Sequence, residues 1–178
     1  MRHMLGAMNK REWTALYRRI YDNLLPGGWI EQVEGDIGIF CDDGSLPKDS
    51  LIETNFRQLF LDCGARANRP LDTIETMRSG IEAAGFINVQ QQDYKQPIGA
   101  WPKLRAYKDA GWACKEQFLR GVEGYVMWFL THNQPNPWSV EEVQVYLAKL
   151  KNEVNQGWHI YQKARRVWVS NPNPILLG

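Results

Sequence analysis

Four times in this chain a residue suited to capping a helix is followed three positions later by glutamate: Asn9 with Glu12, Ser50 with Glu53, Asp72 with Glu75, and Ser139 with Glu142. Apolar residues at helical spacing follow each pair, and glycine closes each run, at Gly27, Gly64, Gly85 and Gly157. Trp13, Leu16, Ile20 and Leu24 share one face of the first run, and Ile74, Met77 and Ile81 one face of the third. Residues 29–40, 86–96 and 158–170 carry β-formers bounded by turn residues and read as strands. Residues 104–131 predict two further helices with a break near Gly111, apolar on several sides. About six helices and three strands therefore alternate along the chain, which predicts an α/β fold.

Composition narrows the function classes. The 178 residues are 44% hydrophobic and 23% charged, enough for a real core, and 21 basic against 20 acidic side chains leave a formal charge of +1. Such a balance lacks the one-signed field of a dedicated nucleic-acid or polybasic membrane binder. Cys41, Cys63 and Cys114 lie far apart, without the spacing of a zinc site or a disulfide framework, so a reducing, cytoplasmic setting is expected and no metal. The longest apolar run, residues 125–130, is far short of the roughly 20 residues of a membrane span. Aromatic content is high, with 8 Trp, 7 Tyr and 6 Phe, as in proteins that shape cavities for flat or greasy ligands.

A helix ending in Pro26-Gly27-Gly28 and entering the strand that holds Glu31 and Glu34 resembles the junction into strand five of class I S-adenosylmethionine (SAM) methyltransferases. Further stretches extend the likeness: Arg2-His3-Met4-Leu5-Gly6 upstream, Asp42-Asp43-Gly44-Ser45-Leu46-Pro47 after the strand, and the run from Tyr94 through Gly99-Ala100-Trp101-Pro102. In this order they resemble the fungal LaeA-like methyltransferases of secondary metabolism, over nearly the whole chain. The resemblance implies a truncated Rossmann-like sheet keeping about three strands, five, six and seven, with a helical cap insertion. It divides one truncated domain, residues 1–178, into a core (1–103), a cap (104–156), and a last strand with tail (157–178). It also implies that Met1 falls at the end of strand four. The glycine-rich turn that holds SAM in that family has no counterpart here, so SAM is not expected to bind to this chain alone. With strand four absent, residues 29–40 are expected to form an exposed edge, covered by a homodimer through that strand or its faces.

The candidate catalytic residues are His3, because the stretch after strand four lies between cofactor and acceptor in that family, and Glu34, at the crevice end of its strand. Alternation places Glu31 and Glu34 on opposite faces, so only one can enter a pocket. Trp112, Tyr125, Trp128 and Phe129 on the cap are expected to roof an acceptor pocket; an aromatic stripe at this spacing also suits a plain core. Arg2, Tyr94, His132 and His159 complete the substrate-binding candidates, His132 and His159 also as acid–base groups, with His132 equally suited to a helix C-terminus. The expected function is a methyltransferase-like protein that no longer methylates and binds a hydrophobic small molecule for a cyclisation, rearrangement or other acid–base step. The alternatives are a fragment or split half of a SAM-dependent methyltransferase and a non-catalytic interaction protein.

Overall fold

Asn9 opens the first helix as expected: its side chain accepts the Glu12 amide at 2.9 Å while the Glu12 carboxylate accepts the Asn9 amide at 2.8 Å. The computed structural model describes residues 1–171; the end of the tail expected after the last strand lies outside the described residues. In chain order the elements are α1 (Lys10–Asn23), β1 (Trp29–Gly35), a π-helical turn (Ile52–Phe56) running into α2 (Arg57–Arg66), α3 (Thr73–Ala83), β2 (Gln90–Pro97), α4 (Arg105–His132), α5 (Val140–Asn155) and β3 (Tyr161–Ser170). The sheet order is β1-β3-β2, with β1 antiparallel to β3 in the register Trp29↔Ser170 to Gly35↔Ala164. The expected α/β fold with three strands, the first beside the last, is the one observed.

Two compact units are present. The first comprises Met1–Asp36, Arg69–Tyr94 and the described residues from Ala164 on. Its core joins Trp13 and Tyr17 of α1, Ile74, Met77 and Ile81 of α3, Ile30 of β1, and Val167 and Val169 of β3. Met77 and Ile81 are fully buried, each removing enough apolar surface to contribute about 1.5–3 kcal/mol. The second unit comprises Ile37–Asn68 and Lys95–Lys163 and is mainly helical. Here the Glu153 carboxylate of α5 accepts the amides of Leu51 and Ile52 at 2.8 and 3.0 Å, capping the turn that leads into α2. Phe56, Phe60, Tyr125 and Phe129 form its aromatic core, with centroid separations of 4.9, 5.3 and 4.7 Å along the series.

Three sequence expectations are corrected. The first strand ends at Gly35 rather than at residue 40, and Phe40 makes only an isolated bridge to Tyr161. The break near Gly111 does not exist, since α4 is one helix of 28 residues. Gly111 serves close approach instead: a Cβ there would lie 2.2 Å from the Gly99 carbonyl, and the Gly99 amide donates to the Gly111 carbonyl at 2.8 Å. Nor is the outer edge of β1 wholly open. Arg2 bridges Val33 in parallel, the His3 amide donates to the Val33 carbonyl at 3.1 Å, and the Val33 amide donates to Met1 at 3.0 Å. These first residues therefore cover part of the edge expected to be exposed.

Candidate functional site

In the first unit, Ile30, Gln32 and Glu34 are buried and alternate with the partly covered Glu31 and Val33. Glu31 lies on the other face, where it accepts from Arg2 at 2.8 Å and from Arg166 at 2.6 Å. The two guanidinium groups, Arg2 first, hold its carboxyl below the usual range. Glu34 has no exposed surface. It accepts the Met4 amide at 2.9 Å and the Gln32 amide nitrogen at 3.3 Å, while Gln32 accepts the Tyr17 hydroxyl at 2.7 Å. Burial pushes the Glu34 carboxyl up, against these donors and the positive charge of His3 and the Met1 amino group. His3 itself is exposed, in the left-handed region at φ 54°. Glu34 therefore fixes the backbone that presents His3 and has no open face toward a ligand.

In the second unit a different cluster forms around the acidic turn after β1. The Asp43 side chain accepts the Ser45 amide at 3.0 Å, a local turn that Gly44, at φ 76°, completes. The Ser45 hydroxyl accepts the His159 amide at 2.9 Å, and this brings the imidazole to the turn. His159 Nδ1 bonds Asp43 Oδ2, and the Cys41 thiol donates to Asp43 Oδ1 at 3.1 Å. The Ser45 amide, then Cys41, the Ser45 hydroxyl and His159, hold the Asp43 carboxyl well below its ordinary value. An ionised carboxylate can only accept, so Nδ1 donates to it, which leaves Nε2 on the other side of the ring. Trp101 stacks on the imidazole at 5.1 Å and 28°, itself anchored by its indole N–H to the Ile160 carbonyl at 2.9 Å. Beside them Tyr161 donates to Asp42 at 2.7 Å, and Lys95 pairs with the same carboxylate. A carboxylate-oriented imidazole, half exposed and flanked by an aromatic plane, is equipped to take a proton from a flat acid and return it.

Of the expected site residues, Tyr125, Trp128 and Phe129 come together, with Trp128 and Phe129 at 4.7 Å. They do so as part of the helical core, with Tyr125 and Phe129 against Phe60 and Trp128 47% exposed. Trp112 is exposed and sixteen residues earlier on α4, about 24 Å away at 1.5 Å per residue. His132 stands in the last turn of α4, with Nδ1 2.6 Å from the Thr131 hydroxyl, as suits a helix C-terminus. Tyr94 is exposed on β2, and Arg2 is engaged by Glu31. Sequence reasoning named His159 but missed Asp43, Ser45, Cys41 and Trp101 as its surroundings. The signal was present: Asp43-Gly44-Ser45 and Trp101 lie in stretches noted only as turns and as family likeness.

No family model matches the chain. Over 152 residues it is 31% identical to methyltransferase pytC of Aspergillus terreus, covering 85% of this chain and 45% of that protein. Over 163 residues it is 29% identical to the secondary metabolism regulator laeA of Aspergillus fumigatus, covering 89% of this chain and 42% of that one. Over 100 residues it is 40% identical to the secondary metabolism regulator LAE1 of Cochliobolus heterostrophus, covering 56% and 32%. Its homologues are the fungal LaeA-like and other secondary-metabolism methyltransferases. The chain spans about half the length of the pytC and laeA relatives it matches. Its three-stranded α/β arrangement fits part of a class I methyltransferase fold.

The residues that hold SAM in such folds are a glycine-rich strand-to-helix turn and an acid for the ribose. Among the described residues six glycines have positive φ: Gly6 precedes α1, Gly27 follows it, Gly44 lies in the acidic turn, Gly85 follows α3, Gly157 follows α5, and Gly99, between β2 and α4, already gives its amide to the Gly111 carbonyl. These residues do not fit that part of the cofactor, and no step is routed through it. Among the described residues no helix is long and apolar enough to cross a membrane.

Proposed function

We propose that this chain performs acid–base chemistry on a flat, hydrophobic small molecule of secondary metabolism, with His159 moving the proton and Asp43 orienting it. The observation that carries this reading is the bond from Nδ1 of His159 to Asp43 beneath the stacked Trp101. His159 Nε2 accepts a proton from a phenolic hydroxyl or a carbon next to a carbonyl, leaving the electron pair on the ligand as phenolate or enolate. Asp43 stabilises the imidazolium that forms, and the same nitrogen returns the proton to a different atom, which completes a rearrangement or ring closure. His3, held by its left-handed backbone beside the Glu34 anchor, is a second exposed imidazole for such transfers. SAM takes no part in these steps.

A second reading is favoured by two of the relatives, methyltransferase pytC of Aspergillus terreus and the probable methyltransferase tdiE of Emericella nidulans. In it, the same proton removal readies an acceptor for methyl transfer, with the donor held by residues other than those described. Leu25 and Trp29, 77% and 65% exposed, support self-association of the chain as a homodimer beside β1. Light scattering that returned a stable 20.6 kDa particle would count against the dimer.

The test follows exchange of the protons next to the carbonyl of chroman-4-one for deuterium, by NMR in D2O. The chain should accelerate exchange, and His159→Ala should remove about 10²- to 10⁴-fold of that acceleration. Equal rates with and without His159 overturn the assignment. Heat on titration with millimolar SAM would move the conclusion to the second reading.

A further inference from the structure

The α1/α3 side of the first unit holds a groove of about 430 Å³, within the size range of small-molecule sites, roughly 300–1,000 Å³. Trp13, Tyr17, Thr73, Gly80 and Ala83 contribute to its walls, with Lys10 and Asp72 also lining it. Two features set it apart from an ordinary seam between helices. The indole N–H of Trp13 and the hydroxyl of Thr73 are both out of solvent and without a hydrogen-bond partner, on residues only 6% and 2% exposed. Buried polar groups are nearly always paired because leaving one unpaired forfeits its hydration, so two at one groove mark a place that a polar ligand atom would complete. The second feature is the α3 N-terminus beside Thr73, where Asp72 makes no side-chain cap bond and only its carbonyl accepts, from the Glu75 amide at 2.9 Å.

The walls also specify the ligand's shape and charge. Trp13 and Tyr17 stack at 5.4 Å and 22°, and with Tyr17 only 2% exposed the aromatic part of the wall is chiefly Trp13. Gly80 lets α3 close on Tyr17, since a Cβ there would lie 2.6 Å from the Tyr17 ring. Lys10 and Asp72 carry opposite charges, which favours a neutral ligand over an ion.

We propose that this groove binds a flat, neutral aromatic molecule bearing a carbonyl oxygen, which accepts from the Thr73 hydroxyl and the Trp13 indole N–H while its ring lies along Trp13. The site is separate from the Asp43–His159 pair and does not depend on the activity assigned to it.

The probe is coumarin, a planar neutral lactone. In 1H–15N spectra of the whole chain, titration should move the Trp13 indole cross-peak, identified by its loss in Trp13→Phe, and saturate below millimolar concentration. Thr73→Val keeps the shape and removes the hydroxyl; it should weaken binding roughly two- to tenfold, the worth of one hydrogen bond. His159→Ala should bind coumarin as the parent does, which separates this site from the proposed activity. An unmoved Trp13 indole peak at 5 mM coumarin (about five times the expected saturating range) overturns the proposal, as does equal affinity in the parent, Thr73→Val and Trp13→Phe. The direct shift in the unmodified chain keeps the test decisive even if one variant folds poorly.

Discussion

Glu34 and Asp43 are both carboxylates that sequence reasoning could assign to acid–base chemistry, and the fold gives them opposite lives. Glu34 has no exposed surface, accepts a backbone amide and a side-chain amide, and its carboxyl is pushed up by burial. Asp43 is 46% exposed at its side chain, accepts from an amide, a thiol and an imidazole, and its carboxyl is pulled down. A raised carboxyl pKa in a pocket is often read as a general base. Here the raised group is an anchor sealed from solvent, while the lowered one holds an imidazole that is half exposed. A shifted pKa identifies a constrained group, and access decides whether the constraint serves chemistry.

The comparison breaks most sharply on exchange kinetics. Asp43→Asn should lower chain-catalysed exchange of chroman-4-one by about 10²-fold, because the amide no longer selects the Nδ1–H form of His159. Glu34→Gln should leave it within about twofold, since its partners are internal. Exchange that survived Asp43→Asn and collapsed in Glu34→Gln would reverse the two roles.

Stability should show the reverse ranking. Glu34→Ala leaves the Met4 amide and Gln32 without their acceptor, so urea unfolding should report a loss of about 1–3 kcal/mol. Asp43→Asn, at a half-exposed site, should cost far less by the same measurement.

The pH profile sharpens the contrast further through its sign. Glu34 holds its proton in the folded state to higher pH than in the unfolded chain, so its contribution falls as pH climbs from about 4.5 through the raised value. Asp43 behaves oppositely: its contribution is complete above an unfolded value near 3.8 and is lost on acidification below it. Melting temperatures across this range should therefore lose their downward slope above pH 4.5 in Glu34→Gln and their acid drop in Asp43→Asn.

The smallest effects concern the helical core. The Tyr125 hydroxyl is buried without a partner, and burial raises its pKa strongly. Tyr125→Phe should stabilise the chain or leave it unchanged, by at most about 1 kcal/mol in chemical unfolding. A destabilisation would show a partner for that hydroxyl that the present arrangement lacks.

Much of the fold was legible in sequence because its signals are local. The capping boxes at Asn9 and Ser139 formed as read, with both reciprocal bonds in place. Gly111 misled because glycine in a helical pattern has two physical uses, breaking the helix or admitting a neighbouring backbone, and only the Gly99 carbonyl beside it distinguishes them. The cap aromatics misled in the same way: helical spacing defines a stripe, but Tyr125 and Phe129 meet Phe60 of another helix while Trp112 meets solvent.

The sequence by itself determined the alternation of helices and strands, the opposite faces of Glu31 and Glu34, and the likeness to fungal secondary-metabolism methyltransferases. These rest on period, capping chemistry and motif order, all of which lie along the chain. Only the tertiary structure decided which carboxylate is sealed and which is joined to a histidine. Asp43 and His159 are 116 residues apart and meet because the Ser45 hydroxyl takes the His159 amide at the turn. Glu34 is sealed because Tyr17, Gln32 and Met4 close over one face of a strand whose alternation alone leaves either face free to be the buried one.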